Sequence, residues 1–244
     1  MLRGEGLDLT AKQAQFNRAM ELYTSKARYL VFGHLVSTAN IALQLYLLYR
    51  IWPLSIGLLR QILALVAAYL LTDFINGLVH MYMDNNDRYE SIDGPLIANF
   101  HLHHKTPVYT KRNLLLVYFM ETGSKVWLVG YLLLVVALQA LFEVNSVVLY
   151  TLVYTGILSS VAEVSHYLCH TSTSPIAAFL ARIGLLLTKR HHAPHHLQDN
   201  TSYAFLNGLS DPLLNRIARV SCKGYKQHTD LHYAHYTAAD TESR

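Results

Sequence analysis

Histidine carries most of the chemistry this sequence offers, and its spacing is ordered. His166 and His170 are four residues apart, so on a helix they share a face. The run Arg190-His191-His192-Ala193-Pro194-His195-His196 repeats that interval, with Pro194 positioned to bend it. His80 and the trio His101, His103 and His104 complete a set of ten imidazoles. Neutral imidazole is the commonest protein metal ligand, and one ion takes three or four protein ligands. Ten converging imidazoles are too many for one ion and suit a pair. His80, His103, His104, His166, His170, His192, His195 and His196 are the expected core ligands. His101 and His191 are further candidates, because a histidine beside a ligand often only hydrogen-bonds.

The elements that must position these residues are read from hydropathy. Hydrophobic residues make up 52% of the 244-residue chain and charged ones 15%, against about 25% charged in a typical soluble domain. That composition excludes disorder, and two cysteines exclude a disulfide scaffold. Four stretches reach the roughly 20 apolar residues a spanning helix needs: Tyr29 to Tyr49, Leu54 to Met83, Leu114 to Phe142 and Val147 to His170. The second and third are longer than a bilayer requires and are expected to tilt or project. Glu121 and Lys125, four apart in the third, are expected to form an ion pair along one helix. Ala177 to Leu187 is too short to span and reads as an interfacial helix. Thr229 to Arg244 is polar and is expected to be loosely ordered. Polar Thr10 to Lys26 precedes the first span, so no cleavable signal peptide is expected.

Every Lys and Arg except Arg50, Arg60 and Lys125 falls in residues 1–28, in 84–113 or after His170. Four spans place those three segments on one side, which the positive-inside rule makes cytoplasmic. Both termini are expected there, in a bacterial inner membrane or the endoplasmic reticulum. All ten candidate imidazoles map to that same face. His34, His228, His232 and His235 are read as bystanders. The expected fold is a single all-α domain over 1–244: an integral membrane four-helix bundle with a cytoplasmic histidine-rich di-metal site and an interfacial helix.

Acidic groups inside a membrane are expensive and usually functional. Asp73, Asp84 and Glu163 are therefore expected to accept a proton from a ligand imidazole and fix its tautomer. Cys169 reads as a buried thiol. Imidazole suits zinc, copper, iron and nickel alike. The soluble di-iron bundle needs two Glu-x-x-His motifs, and the chain has one, Glu163 to His166. The His-Glu-x-x-His protease motif is absent. An all-histidine pair of metals at a membrane face suggests iron and oxygen chemistry on lipid.

Four pieces of sequence carry a resemblance. They are Asp73-Phe74-Ile75-Asn76-Gly77-Leu78-Val79-His80-Met81-Tyr82-Met83-Asp84; Phe100-His101-Leu102-His103-His104 with Pro107; His166-Tyr167-Leu168-Cys169-His170; and His191-His192-Ala193-Pro194-His195-His196, trailed by Tyr203 and Gly208. Over roughly residues 70 to 212 the chain resembles the membrane lipid desaturase family that includes plasmanylethanolamine desaturase (Kua), CarF and plastid fatty acid desaturase 4. The family's Arg-His after the loop proline is Arg112-Asn113 here, so one ligand is missing or is supplied by His101 or a tail histidine. Tyr203 is the tyrosine that the resemblance singles out.

The resemblance implies two iron ions, dioxygen as co-substrate, and a double bond introduced into a membrane lipid chain, with a vinyl ether as the product if the plasmanylethanolamine likeness holds. No dinucleotide fingerprint, haem site or iron–sulfur pattern is visible. A separate electron donor, cytochrome b5-like or ferredoxin-like, is therefore expected, and no nucleic acid. The net charge of +4 could attract an acidic donor. The alternatives are a di-iron lipid hydroxylase, a zinc-dependent membrane hydrolase, and a non-enzymatic metal transporter or sensor.

Overall fold

The computed structural model describes residues 9–105, 112–198 and 200–222. Pro107, the tail histidines His228, His232 and His235, and the stretch from Thr229 to Arg244 lie outside the described residues. Among the described residues there are ten helices and no strand. They are α1 (Leu9–Ser25), α2 (Ala27–Ile51), α3 (Leu58–Asp84), α4 (Gly94–Lys105), α5 (Leu114–Thr122), α6 (Val126–Leu141), α7 (Ser146–Thr171), α8 (Pro175–Arg182), α9 (Lys189–Leu197) and α10 (Asp211–Ser221).

Helices α2, α3 and α7 are long and apolar enough to cross a membrane. At about 1.5 Å per residue, each exceeds the roughly 30 Å of a hydrocarbon core. Their outer faces are greasy: Leu35, Leu45, Leu59, Leu63 and Val66 are all exposed. Where lipid is the surrounding medium, such exposure carries no hydrophobic cost. The centre of the assembly is α7, which packs on α2, α3, α5 and α6. Leu47, Ala64, Leu128, Leu132 and Val153 fill the space between them. Helix α1 lies apart, with Phe16 and Met20 buried against Tyr89, Ile97 and Ala98 at the start of α4.

The third expected span is not one helix. It breaks after Thr122, and α5 and α6 meet at 86°. Gly123 allows the break. A Cβ there would lie 2.7 Å from the Gly33 carbonyl oxygen, so only glycine lets α2 approach this closely. A break frees backbone carbonyls, which cannot go unbonded in lipid. Ser37 of α2 donates to Phe119 O at 2.5 Å, Asn40 to Lys125 O at 3.1 Å, and Ser124 to Glu121 O at 2.9 Å.

The break also undoes the expected Glu121–Lys125 pair, because the residues no longer share a helix. Lys125 turns inward instead. Its ammonium pairs with Glu163 of α7 at 2.9 Å and donates to Asn76 of α3. The interfacial segment differs too. Helix α8 ends at Arg182, and Gly184, at φ 78°, turns the chain away before Leu187 is reached. No α8 residue is buried, and Ile176 and Phe179 face outward.

Candidate metal centre

The histidines gather at one end of the helices. His80 and Asp84 sit one turn apart on the last turns of α3, and His166 and His170 do the same on α7. Helix α4 supplies His103 and His104, and α9 supplies His192, His195 and His196. Adjacent residues on a helix point about 100° apart, so each neighbouring pair divides between two sites. His103, His166, His170, His192 and His196 form one cluster. His80, Asp84, His104 and His195 form the other. In each, one ligand atom per residue lies within 4.8 Å of all the rest.

Internal hydrogen bonds cannot satisfy the five-histidine cluster. His166 Nε2 lies 3.2, 3.0 and 3.2 Å from the Nε2 atoms of His103, His192 and His170. His192 Nε2 lies 2.9 Å from His196 Nε2. One imidazole nitrogen offers a single proton or a single lone pair, yet His166 meets three partners. A cation held among these nitrogens would accept their lone pairs together, which hydrogen bonds between the rings cannot do.

The second cluster makes the case more sharply. His80 Nδ1 donates to the Tyr203 carbonyl at 2.8 Å, and His195 Nδ1 donates to the Thr201 carbonyl at 2.9 Å. A carbonyl only accepts, so in each neutral ring the proton is on Nδ1 and the lone pair on Nε2. Both lone pairs face Asp84 Oδ2, at 3.4 and 3.7 Å. Asp84 Oδ2 and His195 Nε2 are buried with no hydrogen-bond partner among the described residues. Converging acceptors with no proton between them are costly to bury unless a cation sits among them. Asp84 Oδ1, 3.0 Å from His104 Nε2, completes the set. His196 follows the same rule in the first cluster, with Nδ1 bonded to the His104 carbonyl at 3.2 Å.

Burial, reinforced by neighbouring imidazoles, pushes the pKa values of His103, His192 and His195 well below the usual histidine range. Neutral rings have the free lone pair that metal binding requires. The residues present thus fit two metal ions, one bound by imidazoles alone and one by three imidazoles and a carboxylate.

His101 and His191 fall outside both clusters. Both His101 nitrogens are engaged, by the Tyr89 hydroxyl at 2.7 Å and the Met83 carbonyl at 2.9 Å. His191 Nε2 bonds Asp211 at 2.6 Å, and that hydrogen bond raises its pKa. Neither presents a lone pair to a cluster. His34 is also elsewhere, packed against Phe119.

The acidic residues divide differently from expectation. Asp84 lies inside the second cluster, in contact with its imidazoles. Asp73 bonds no imidazole among the described residues. Its carboxylate accepts from the backbone N–H groups of Leu206, Asn207, Gly208 and Ser210, and from the Ser210 hydroxyl. Glu163 is taken by Lys125. Tyr203 contributes its carbonyl rather than its phenol, which donates to Asn200 at 2.7 Å and whose pKa burial raises.

The loop 200–210 supplies what reading for ligands missed. Asn200 and Ser202 both have φ of 56°, a conformation that costs a non-glycine residue energy. They immediately precede Thr201 and Tyr203, whose carbonyls hold His195 and His80. Asn215 Oδ1 fixes the bend by accepting from Ser202 N at 2.8 Å. Phe205 faces one imidazole of each cluster, with centroids 4.3 Å from His80 and 4.5 Å from His166. The side-chain signal available in the sequence was Asn200, Asp211 and Asn215, all suited to capping irregular backbone.

A family model described as the lipid desaturase domain matches residues 69–221, a span that contains every residue of both clusters. No curated protein and no solved structure matches the chain significantly. The chain belongs to the lipid desaturase family of Kua/CarF type, and its domain is that of an oxidoreductase acting on membrane lipid.

Proposed function

We propose that the two clusters hold a pair of iron ions and that the protein uses dioxygen to place a double bond in a membrane lipid chain. The observation that carries this is the convergence of eight buried or half-buried histidines and Asp84 at one end of apolar, membrane-length helices. Bound iron would supply the dioxygen reduction and the oxidising power to remove hydrogen from an unactivated C–H bond. The chain's residues do the rest. Burial keeps the imidazoles unprotonated, and the carbonyls of Thr201, Tyr203 and His104 aim them. Asp84 gives the second site one negative charge that the first lacks. Phe205 packs its ring against one imidazole of each cluster.

Removing two hydrogens from a lipid and reducing one dioxygen to two waters takes two further electrons. A separate reduced donor, cytochrome b5-like or ferredoxin-like, supplies them. The Lys/Arg sorting favours a cytoplasmic position for the centre and both termini, where such a donor is available. The resemblance to plasmanylethanolamine desaturase favours an alkyl ether lipid as substrate and a vinyl ether as product. The test is the lipid profile of a membrane with and without the protein, in a host with a competent donor. A new unsaturated lipid is expected with the wild type and none with His192→Ala. A hydroxylated lipid with no new double bond would exclude desaturation, and zinc without iron in the purified protein would favour a hydrolase.

A further inference from the structure

A cavity lies beside the five-histidine cluster, outside the metal centre. Its volume is about 330 Å3, within the range of small-molecule sites. Its walls come from the last turns of α7, from α8 and from the start of α9. Two of these elements also carry ligands of the five-histidine cluster: Cys169 and Ser172 on the wall flank His170, and Lys189 begins the helix that holds His192.

The lining mixes apolar and polar residues. Ala177, Ala181, Leu168, Leu186 and Leu187 make an apolar wall. Arg182 and Lys189 line it too, with the hydroxyl residues Ser172, Thr173 and Thr188. Neither cation forms an ion pair among the described residues. Nor could a sequence neighbour neutralise them, since no acidic residue occurs between Glu163 and Asp199. The outer face of α8 exposes Ile176 and Phe179, the arrangement of a helix lying in a lipid surface.

We infer that this cavity binds the phosphate of a phospholipid, with Arg182 and Lys189 on the phosphate and the alanine–leucine wall on the glycerol and first methylenes. Guanidinium and ammonium groups are the protein's phosphate binders. The small side chains of Ala177 and Ala181 leave the room. Resting on the desaturase reading, the site gains a role: it would anchor a substrate headgroup beside the end of α7 that carries His170. The binding itself is independent of turnover.

The test uses purified full-length protein in detergent, titrated with dioctanoyl phosphatidylglycerol, dioctanoylglycerol or inorganic phosphate, with bound ligand read by native mass spectrometry. Phosphatidylglycerol should bind the wild type one to one. The Arg182→Gln/Lys189→Gln double variant should bind at least tenfold more weakly, with unchanged metal content. Ala181→Phe, which fills the cavity without altering charge, should lose binding as well. Dioctanoylglycerol, lacking the phosphate, should bind neither form. Unchanged binding by either variant, or equal binding of dioctanoylglycerol, would overturn the site. Inorganic phosphate binding as tightly as the lipid would overturn the lipid assignment in favour of a soluble phosphate. Lipid binding without any oxygen-dependent product would leave the site standing and remove the desaturase reading.

Discussion

At the residue scale, an imidazole's function is set by what its second nitrogen meets. His80, His195 and His196 each give one N–H to a main-chain carbonyl and turn the other nitrogen toward a cluster. His101 spends both nitrogens on hydrogen bonds, and His191 binds Asp211. Their neighbours in sequence are in the clusters, so proximity along the chain misleads at these two positions. His101→Asn and His191→Asn should therefore keep full metal content by elemental analysis, whereas His192→Ala should lose the metal of the five-histidine site. Asp84→Asn should lower metal from two ions per chain to about one, since the second site keeps only neutral donors around an ion that its carboxylate partly neutralised. Equal metal loss in all four variants would contradict the division into two clusters. The four-residue spacings made the eight core histidines legible. The partners of Asp73 and Glu163 were not, because they lie far along the chain, at 206–210 and at 125.

At the element scale, two irregular segments fix the regular ones. The elbow between α5 and α6 is held by α2 through Ser37 and Asn40, and by α3 and α7 through Lys125. A break inside a 29-residue apolar run, Leu114 to Phe142, is invisible to hydropathy alone, although Thr122-Gly123-Ser124 with Lys125 beside it is a poor helix centre. Lys125 and Glu163 are both nearly buried. Removing one partner strands the other, so Lys125→Met should cost about 3–5 kcal/mol in detergent unfolding. The Lys125→Met/Glu163→Gln double variant should recover much of that loss; a double variant as unstable as the sum of the singles would argue against direct pairing. The second segment is the 200–210 loop, which Asp73 grips through five donors. Gly208, at φ 88°, packs its Cα against the His191 ring, where a Cβ would collide. Asp73→Ala should free this loop and, through Tyr203 and Thr201, weaken metal at the second cluster by roughly 10–100-fold, while the five-histidine site changes less. A metal titration that distinguishes the two sites checks the order.

At the scale of the whole molecule, the helices place all the imidazoles of both clusters at one end and greasy surface along their length. Three of the four expected spans were legible within a few residues, because apolar runs of that length with so few charges leave little choice. What composition does not encode is the tertiary use of polar residues inside the membrane part. Gln44, Asn76 and Ser160 read as blemishes in apolar runs, yet all are buried and bonded between helices. Such bonds hold helices together where lipid tails provide no hydrophobic drive. The centre thus sits where the long apolar helices end, at one end of their greasy surface. The most direct test is the isotopic composition of lipid formed under labelled dioxygen by protein loaded with iron and supplied with reduced donor. Desaturation predicts a lipid lighter by a pair of hydrogens and free of label, with the labelled oxygen recovered in water. Label retained in the lipid, or no oxygen-dependent product at all, would contradict it.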